Sequence, residues 1–293
     1  MQAGRTVARR HSLIHVTTTT PRRNDAIEIA ELGVEALVAV NALVVRIWGS
    51  PDTRPLIEPN TLRAMMLAGE QVLGVFPAGR AHEPDSLIGV SIAFIGTHPG
   101  GFHLHSHITG IDPDHQHAGL GFALKLAQRD WALARGITEV RWTFDPLVTR
   151  NAHFNLTKLG ARGVAYHVNL YGAMPDATNA GDESDRIEAH WDLTEPVGHP
   201  APDVASLRRD GAPVVLDIDP AGAPSVDPDA IGDAHHVVLA RGPADILAPR
   251  LADPSLAREW RLAARVTLGA LIDRGFIATA ATRDGWLVLE RVE

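Results

Sequence analysis

The sequence predicts an α/β fold, a mixed and mostly antiparallel sheet flanked by helices, with a smaller C-terminal α/β region. Three observations predict it. Short runs of period-two alternation recur through the first two-thirds of the chain, and a helical pattern opened by glycines is set between two of them. A breaker-rich stretch, Thr194–Asp203, then separates these runs from a second set of strands and one long helix.

Taken in order, residues 1–24 read as a flexible leader. They are basic ("GRTVARRHS") but lack the apolar stretch and cleavage site of a secretory signal. Ala26–Leu32 alternates as a short strand. Val34–Gly49 is apolar but interrupted by Glu35, Asn41 and Arg46, so it reads as a buried amphipathic helix rather than a bilayer span. A second helix ends at Gly69. "QVLGVF" and "LIGVSIAFIG" then form a hairpin with a long loop, and Phe102–Ile111 is the third strand of the meander.

After the glycines, Leu120, Leu124, Ala127, Trp131 and Ala134 recur at helical spacing, with Gly136 as the stop. "TEVRWTFDPL" is a strand, "RNAHFNLTKLG" a short helix and "AYHVNLYG" a strand. That passage implies a crossover, so two neighbouring strands are expected to be parallel. "IEAHWDL" closes a domain expected over residues 25–193. Beyond the break, a region over 204–293 holds strands in "APVVLDID", "AHHVVLA" and "WLVLERV". Its long helix has Asp253 as N-cap and Pro254 at the first helical position.

Composition excludes several classes. The 293 residues include no cysteine, which removes disulfides, thiolate metal sites and thiol nucleophiles and makes a cytoplasmic location the economical reading. A formal charge of -8 argues against nucleic acid as a partner, because phosphate binding wants a basic surface. No apolar run reaches the roughly 20 residues that would point to a membrane span.

The glycine segment is Gln116-His117-Ala118-Gly119-Leu120-Gly121. A glycine turn feeding a helix N-terminus offers unpaired N–H groups and the positive end of the helix dipole to an anion. A Walker loop needs Gly-Lys-Ser/Thr, and Phe122 follows Gly121 here. A dinucleotide fingerprint needs a third glycine where Leu124 stands and a turn starting directly at the strand end, although Asp145 could imitate the ribose acid.

The hexad fits Q/R-x-x-G-x-G/A, the acyl-CoA pyrophosphate loop of the GNAT acyltransferase superfamily, and the chain resembles that superfamily beyond the six residues. "ITGIDPDHQHAGLGFALKLAQ" has the family's strand, aliphatic-Asp-Pro turn and helix. "FDPLVTRNAHFNLTKLGAR" looks like its next strand and helix, and the preceding order of strand, two helices and three strands is the family's order.

The resemblance implies a GNAT-like fold over roughly Asp25–Leu193 and transfer of an acyl group from acetyl-CoA or another acyl-CoA to an amine of a small molecule or protein. Backbone N–H groups of Gln116, His117, Ala118, Gly119, Leu120 and Gly121 would face the pyrophosphate. Main-chain atoms of Ile111 would meet pantetheine and the acyl carbonyl, and Asn151 would bond the CoA arm. Many members place a Tyr, the acid for the departing thiolate, where this chain has Leu156; Tyr166, Tyr171 and water are the substitutes.

Alternation puts His103, His105, His107, Thr109 and Ile111 on one face of the strand. By the family pattern His105 falls where some members place a catalytic glutamate, and an imidazole suits that task. His107 shares the face, whereas His103 reads as a packed side chain. Ser184, Asp185 and Arg186, in a polar loop, are acceptor candidates.

Two other readings stay open. One is an acyl-CoA-binding protein without catalysis, favoured by Leu156. The other is a metallohydrolase using two of these histidines with His153, His167 or His190. No metal is expected under the main reading. The C-terminal region carries no catalytic motif and fits an extension that covers the sheet, shapes an acceptor pocket or builds a homodimer.

Overall fold

A computed structural model of the chain describes residues 13–14, 27–49, 56–81, 83–116, 119–172, 174, 179, 182–227, 230 and 235–292. They fall into two compact units. One gathers Met1–Ile47, Thr53–Ile95 and Ser106–Arg135, the other Trp48–Asp52, Gly96–His105 and Gly136–Glu293. Apart from Leu13–Ile14, the expected leader lies outside the described residues, as do His117 and Ala118.

The first unit takes its elements from β1 (Leu13–Ile14), β2 (Ile27–Glu31), α1 (Leu37–Trp48), α2 (Pro59–Ala68), β3 (Gln71–Pro77), β4 (Gly89–His98), β5 (Gly101–Ile111) and α3 (Leu120–Leu133). β1 to β4 pair antiparallel in sequence order and β5 follows β4. The amphipathic reading of the first helix holds, with Leu37, Val40, Leu43 and Val44 turned inward. On α3 the buried face carries Leu124, Ala127 and Trp131, together with Lys125 and Gln128.

Those two polar residues are bonded inside the core. Lys125 Nζ donates to Ser106 Oγ and Gln128 Oε1, each at 2.9 Å, and Gln128 Nε2 donates to Gln71 Oε1 at 2.8 Å and Ser91 Oγ at 3.0 Å. Burial pushes the Lys125 ammonium down to about 7.

The second unit takes the last three residues of β4 and the first five of β5. It continues through β6 (Glu139–Phe144), α4 (Thr149–Ala152) with a π turn over His153–Lys158, β7 (Arg162–His167) and β8 (Arg186–Asp192). Then come α5 (Val204–Arg209), β9 (Val214–Ile218), β10 (Pro224–Val226), β11 (Val237–Arg241), α6 (Leu247–Ala252) and α7 (Pro254–Ala264). A second π turn, Arg265–Gly269, leads to α8 (Ala270–Asp273), β12 (Phe276–Ala281) and β13 (Trp286–Arg291). The strand order is β5-β6-β8-β7-β12-β13-β11-β9-β10.

The sheet is mixed and mostly antiparallel. Its parallel ladders are β5 with β6, pairing Leu104 with Val140 and His105 with Arg141, and β9 with β11. β6 and β7, on either side of α4, are not neighbours: β8 inserts between them and pairs antiparallel with both. The parallel pair expected across that short helix is therefore not formed, and the parallel ladder lies instead between β5 and β6. Asp253 caps α7 as read, accepting from Leu256 N at 3.1 Å with Pro254 behind it. The sequence reading missed β1, which pairs with β2 inside the stretch read as a flexible leader, and α5, α6, β10 and β12, which are short or, in the case of "FIATAA", alanine-rich enough to lack a strand signature.

β12 meets β7 through Ala278 and Gly163, so one sheet runs from the strands before residue 193 into those after it. Buried charge makes a second link. Asp145, after β6, accepts from Arg261 and from Arg250 Nη2 at 2.5 Å, while Asp182 accepts from Arg250 Nε at 3.1 Å and Arg261 Nη2 at 2.9 Å. Burial alone would raise the Asp145 carboxyl, but Arg261, Arg250 and Arg186 more than offset it and hold it at about 2.

Candidate functional site

In the first unit the glycine turn links the end of β5 to α3. Asp112 is fixed by Arg46 of α1, whose Nε and Nη2 each lie 3.1 Å from Oδ2, and its Oδ1 accepts from Asp114 N at 3.1 Å. Gln116 Nε2 reaches back to the Ile111 carbonyl at 3.4 Å. Gly119 is the N-cap of α3 at φ 79° and ψ 5°, a left-handed conformation that a Cβ would strain.

The first bonds of α3 run from Phe122 N and Ala123 N to the Gly119 carbonyl, both at 3.1 Å, so the N–H groups of Gly119, Leu120 and Gly121 precede the helical ladder. A Cβ placed on Gly119 or on Gly121 would meet no atom within 4 Å, so both glycines border open space. N–H groups ahead of the helical ladder, a positive dipole end and open space beside both glycines are features that suit an anion.

His107 belongs to this unit. It is exposed, its ring centroid is 5.9 Å from that of Phe94, and the protein around it lowers its pKa by desolvation. Gln116, Gly119, Leu120, Gly121, Ile111 and His107 thus share one continuous segment of the first unit, whereas His105 and Asn151 belong to the second.

Alternation along β5 is as read: Leu104, Ser106 and Ile108 are buried and the three histidines take the other face. In the second unit the His103 and His105 ring centroids are 6.4 Å apart and those of His98 and His103 5.8 Å. His103 is packed as expected: a Cβ on Gly96 would come within 2.4 Å of its Nε2, so the glycine makes the ring's seat. Burial lowers the His103 pKa, and Arg141 adds to it. Two buried atoms on this face, His103 Nδ1 and Arg141 Nε, have no hydrogen-bond partner, and such atoms are completed by a bound group or an ordered water.

Several expected site residues have other tasks. Ser184, Asp185 and Arg186 are buried, not offered to an acceptor. Asp185 accepts from Arg265 Nε at 3.0 Å, Tyr166 Oη at 2.9 Å and Asn169 N at 2.9 Å, and Ser184 Oγ accepts from Tyr171 N at 2.8 Å. Burial and the Asp185 charge drive the Tyr166 pKa far up, which removes it as a ready proton donor. Tyr171 is exposed, its hydroxyl 3.0 Å from Thr143 Oγ1. Leu156 is fully buried in the π turn, and Asn151 is exposed on α4.

His153 Nδ1 lies 2.9 Å from the Ala281 carbonyl, while His167 and His190 bond Glu188. Among the described residues no group of three His, Asp or Glu is arranged to hold a metal ion. Sequence reasoning overlooked Glu139 and Glu188 and took His167 and His190 only as candidate metal ligands. The signal was present, since Glu139 with Arg141 and Glu188 with His190 stand two apart on strands.

The glycine-opened α3, and the order of strand, two helices and three strands ahead of it, are those expected from the sequence. The fold is a mixed, mostly antiparallel α/β sheet flanked by helices. No protein-family model matches the chain, and no curated protein matches it. Among solved structures, it is similar to the ribosomal-protein-S18-alanine N-acetyltransferase of Escherichia coli at 16% identity, over 60% of this chain and 99% of that one, with a TM-score of 0.45. A GNAT-family acetyltransferase of Streptococcus pneumoniae gives 15% identity over 56% and 98%, TM-score 0.44. The PaiA N-acetyltransferase of Thermoplasma acidophilum, in complex with coenzyme A, gives 17% over 57% and 98%, TM-score 0.40.

Proposed function

We propose that the protein is an acyl-CoA-dependent N-acyltransferase that moves an acetyl or other acyl group from CoA to an amine of a small molecule or protein. One observation carries the reading: the turn at the head of α3 holds Gly119 left-handed and leaves open space where Cβ atoms of Gly119 and Gly121 would be, with the first N–H groups of the helix preceding its ladder. That geometry suits a pyrophosphate.

In the reaction the acceptor nitrogen attacks the thioester carbonyl carbon, the C–N bond forms, the C–S bond breaks, and the departing thiolate takes a proton. Main-chain donors preorganised near Ile111 would stabilise the oxyanion. His105 and His107 would take the acceptor's proton; a pKa lowered by desolvation keeps His107 neutral and ready to accept at pH 7. Tyr171, exposed and hydroxyl-bearing, is the side chain that replaces the acid lost at Leu156.

The buried Leu156 favours a second reading, acyl-CoA binding without turnover. Release of CoA thiol from acetyl-CoA, measured against a panel of amino acids, polyamines and short peptides, separates the two. Amine-dependent release supports transfer. Tight binding with no release for any amine, including peptide N-termini, supports the second reading.

A further inference from the structure

A cleft in the second unit, between α5 and the turn that joins β12 to β13, has no task in acyl transfer. Pro202, Val204, Arg208, Thr282, Asp284 and Trp286 line it. Its volume of about 340 Å³ lies at the small end of ligand pockets, which run from roughly 300 to 1,000 Å³, and so suits a small metabolite.

Both walls are held by the protein itself. Asp203 caps α5, its carboxylate accepting from Ser206 N at 2.9 Å, and the helix packs through Val204 and Leu207 on the cluster of Leu239, Trp286 and Val288. Across the cleft, Thr282 N–H donates to the Trp286 carbonyl at 2.8 Å and Trp286 N–H donates to Thr282 Oγ1 at 3.0 Å. Gly285, at φ 100°, sits so close to Gly242 that a Cβ would come within 2.5 Å of the Gly242 carbonyl oxygen. The turn that carries Asp284 is thereby fixed, and a preformed site pays little ordering entropy on binding.

Arg208 and Asp284 have opposite charge and border the same cavity, yet neither has an ion-pair partner among the described residues. The Arg208 guanidinium rests over the Trp286 indole instead, 5.7 Å from the ring centroid. Arg241, also near that ring, is turned to Asp217 at 3.8 Å. A guanidinium stacked on an aromatic face keeps its N–H edge for a carboxylate, which it can bind through two parallel hydrogen bonds. Asp284 can accept from an ammonium. A ligand that answers both must carry an anion and a cation a few bonds apart, with an apolar remainder for Pro202, Val204 and Trp286.

We propose that this cleft binds a free α-amino acid with an apolar side chain, Arg208 holding its carboxylate, Asp284 its ammonium, and Val204 with Trp286 its side chain. The site is separate from the acyltransferase reading and does not depend on it.

Calorimetric titration of the full chain with L-leucine, L-valine and L-phenylalanine tests the proposal. Saturable one-to-one binding is expected for at least one of them. The matching acid without the ammonium, and the matching amine without the carboxylate, should each bind more weakly by on the order of tenfold or more. Arg208→Gln and Asp284→Asn should each weaken binding by a similar factor. Both side chains are exposed, and circular dichroism checks that the variants are folded. In nitrogen-15 NMR the ligand should shift the amides of Ala205, Thr282 and Asp284. Failure of all three amino acids to saturate by about 10 mM overturns the proposal. So does undiminished affinity in either variant, equal affinity for the acid without its ammonium, or shifts that spare those three amides. Tighter binding of leucyl-leucine than of L-leucine overturns the free amino acid in favour of a peptide.

Discussion

Arg261 grips Asp145 with both ends of its guanidinium, Nη1 3.0 Å from Oδ1 and Nη2 2.7 Å from Oδ2, although 116 residues separate them and both are buried. The pair ties the end of β6 to the C-terminal helices. Asp145→Ala leaves Arg261 and Arg250 short of a buried counter-charge and should destabilise the chain by about 3–5 kcal/mol, measured by urea unfolding. The wild-type carboxyl, held at about 2 against an ordinary 3.8, stabilises the fold above pH 4, and this stability is lost as pH falls from 4 towards 2. An unfolding free energy unchanged in Asp145→Ala contradicts this account of the link.

Lys125 gives the same sign of pH dependence in a different window. Its folded-state value of about 7 lies below the ordinary 10.5, so between these values the unfolded chain binds the extra proton. Stability therefore rises with pH from about 7 to 10.5, with a Lys125 contribution of up to about 1.4 kcal/mol per pH unit. Lys125→Met should remove that contribution. Parallel stability–pH curves for the two proteins count against the buried, readily neutralised amine.

On the histidine face, His105→Ala should lower kcat on the order of a hundredfold in the acetyl-CoA assay while leaving the acetyl-CoA dissociation constant unchanged. Full turnover by this variant removes His105 from the chemistry.

Tyr171 and Tyr166 are expected to separate cleanly. Tyr171→Phe should slow turnover without loss of stability, because the hydroxyl is exposed. Tyr166→Phe should cost about 1 kcal/mol or more of stability by stripping a hydrogen bond from buried Asp185, with turnover largely kept. The reverse pattern points to Tyr166 as the acid.

Legibility in the sequence followed the range of the interaction. The glycine turn, the capped helix at Asp253 and the alternation of β5 are local, and each appears in a window of a dozen residues. Asp145 and Arg261 carry no mark of their partnership, because composition treats both as surface charges and only the fold brings them together. For the same reason Ser184, Asp185 and Arg186 read as a solvated loop yet are packed against Tyr171, Tyr166 and Arg265. Glu139, Glu188 and His190 lay between these extremes: their strand faces were readable, but their encounter across β6 and β8 depends on β8 inserting between β6 and β7.

The central claim is that the turn at Gly119 and Gly121 holds the pyrophosphate of an acyl-CoA, and calorimetric titration of acetyl-CoA into wild type, Gly121→Ala and Gly121→Trp tests it most directly. Gly121→Ala should leave the free chain folded, since a Cβ at position 121 meets nothing within 4 Å, and circular dichroism checks that Gly121→Trp is folded before its titration is read. The account predicts saturable one-to-one binding by the wild type, weaker binding by Gly121→Ala and none detectable for Gly121→Trp. Undiminished affinity in Gly121→Trp would contradict it.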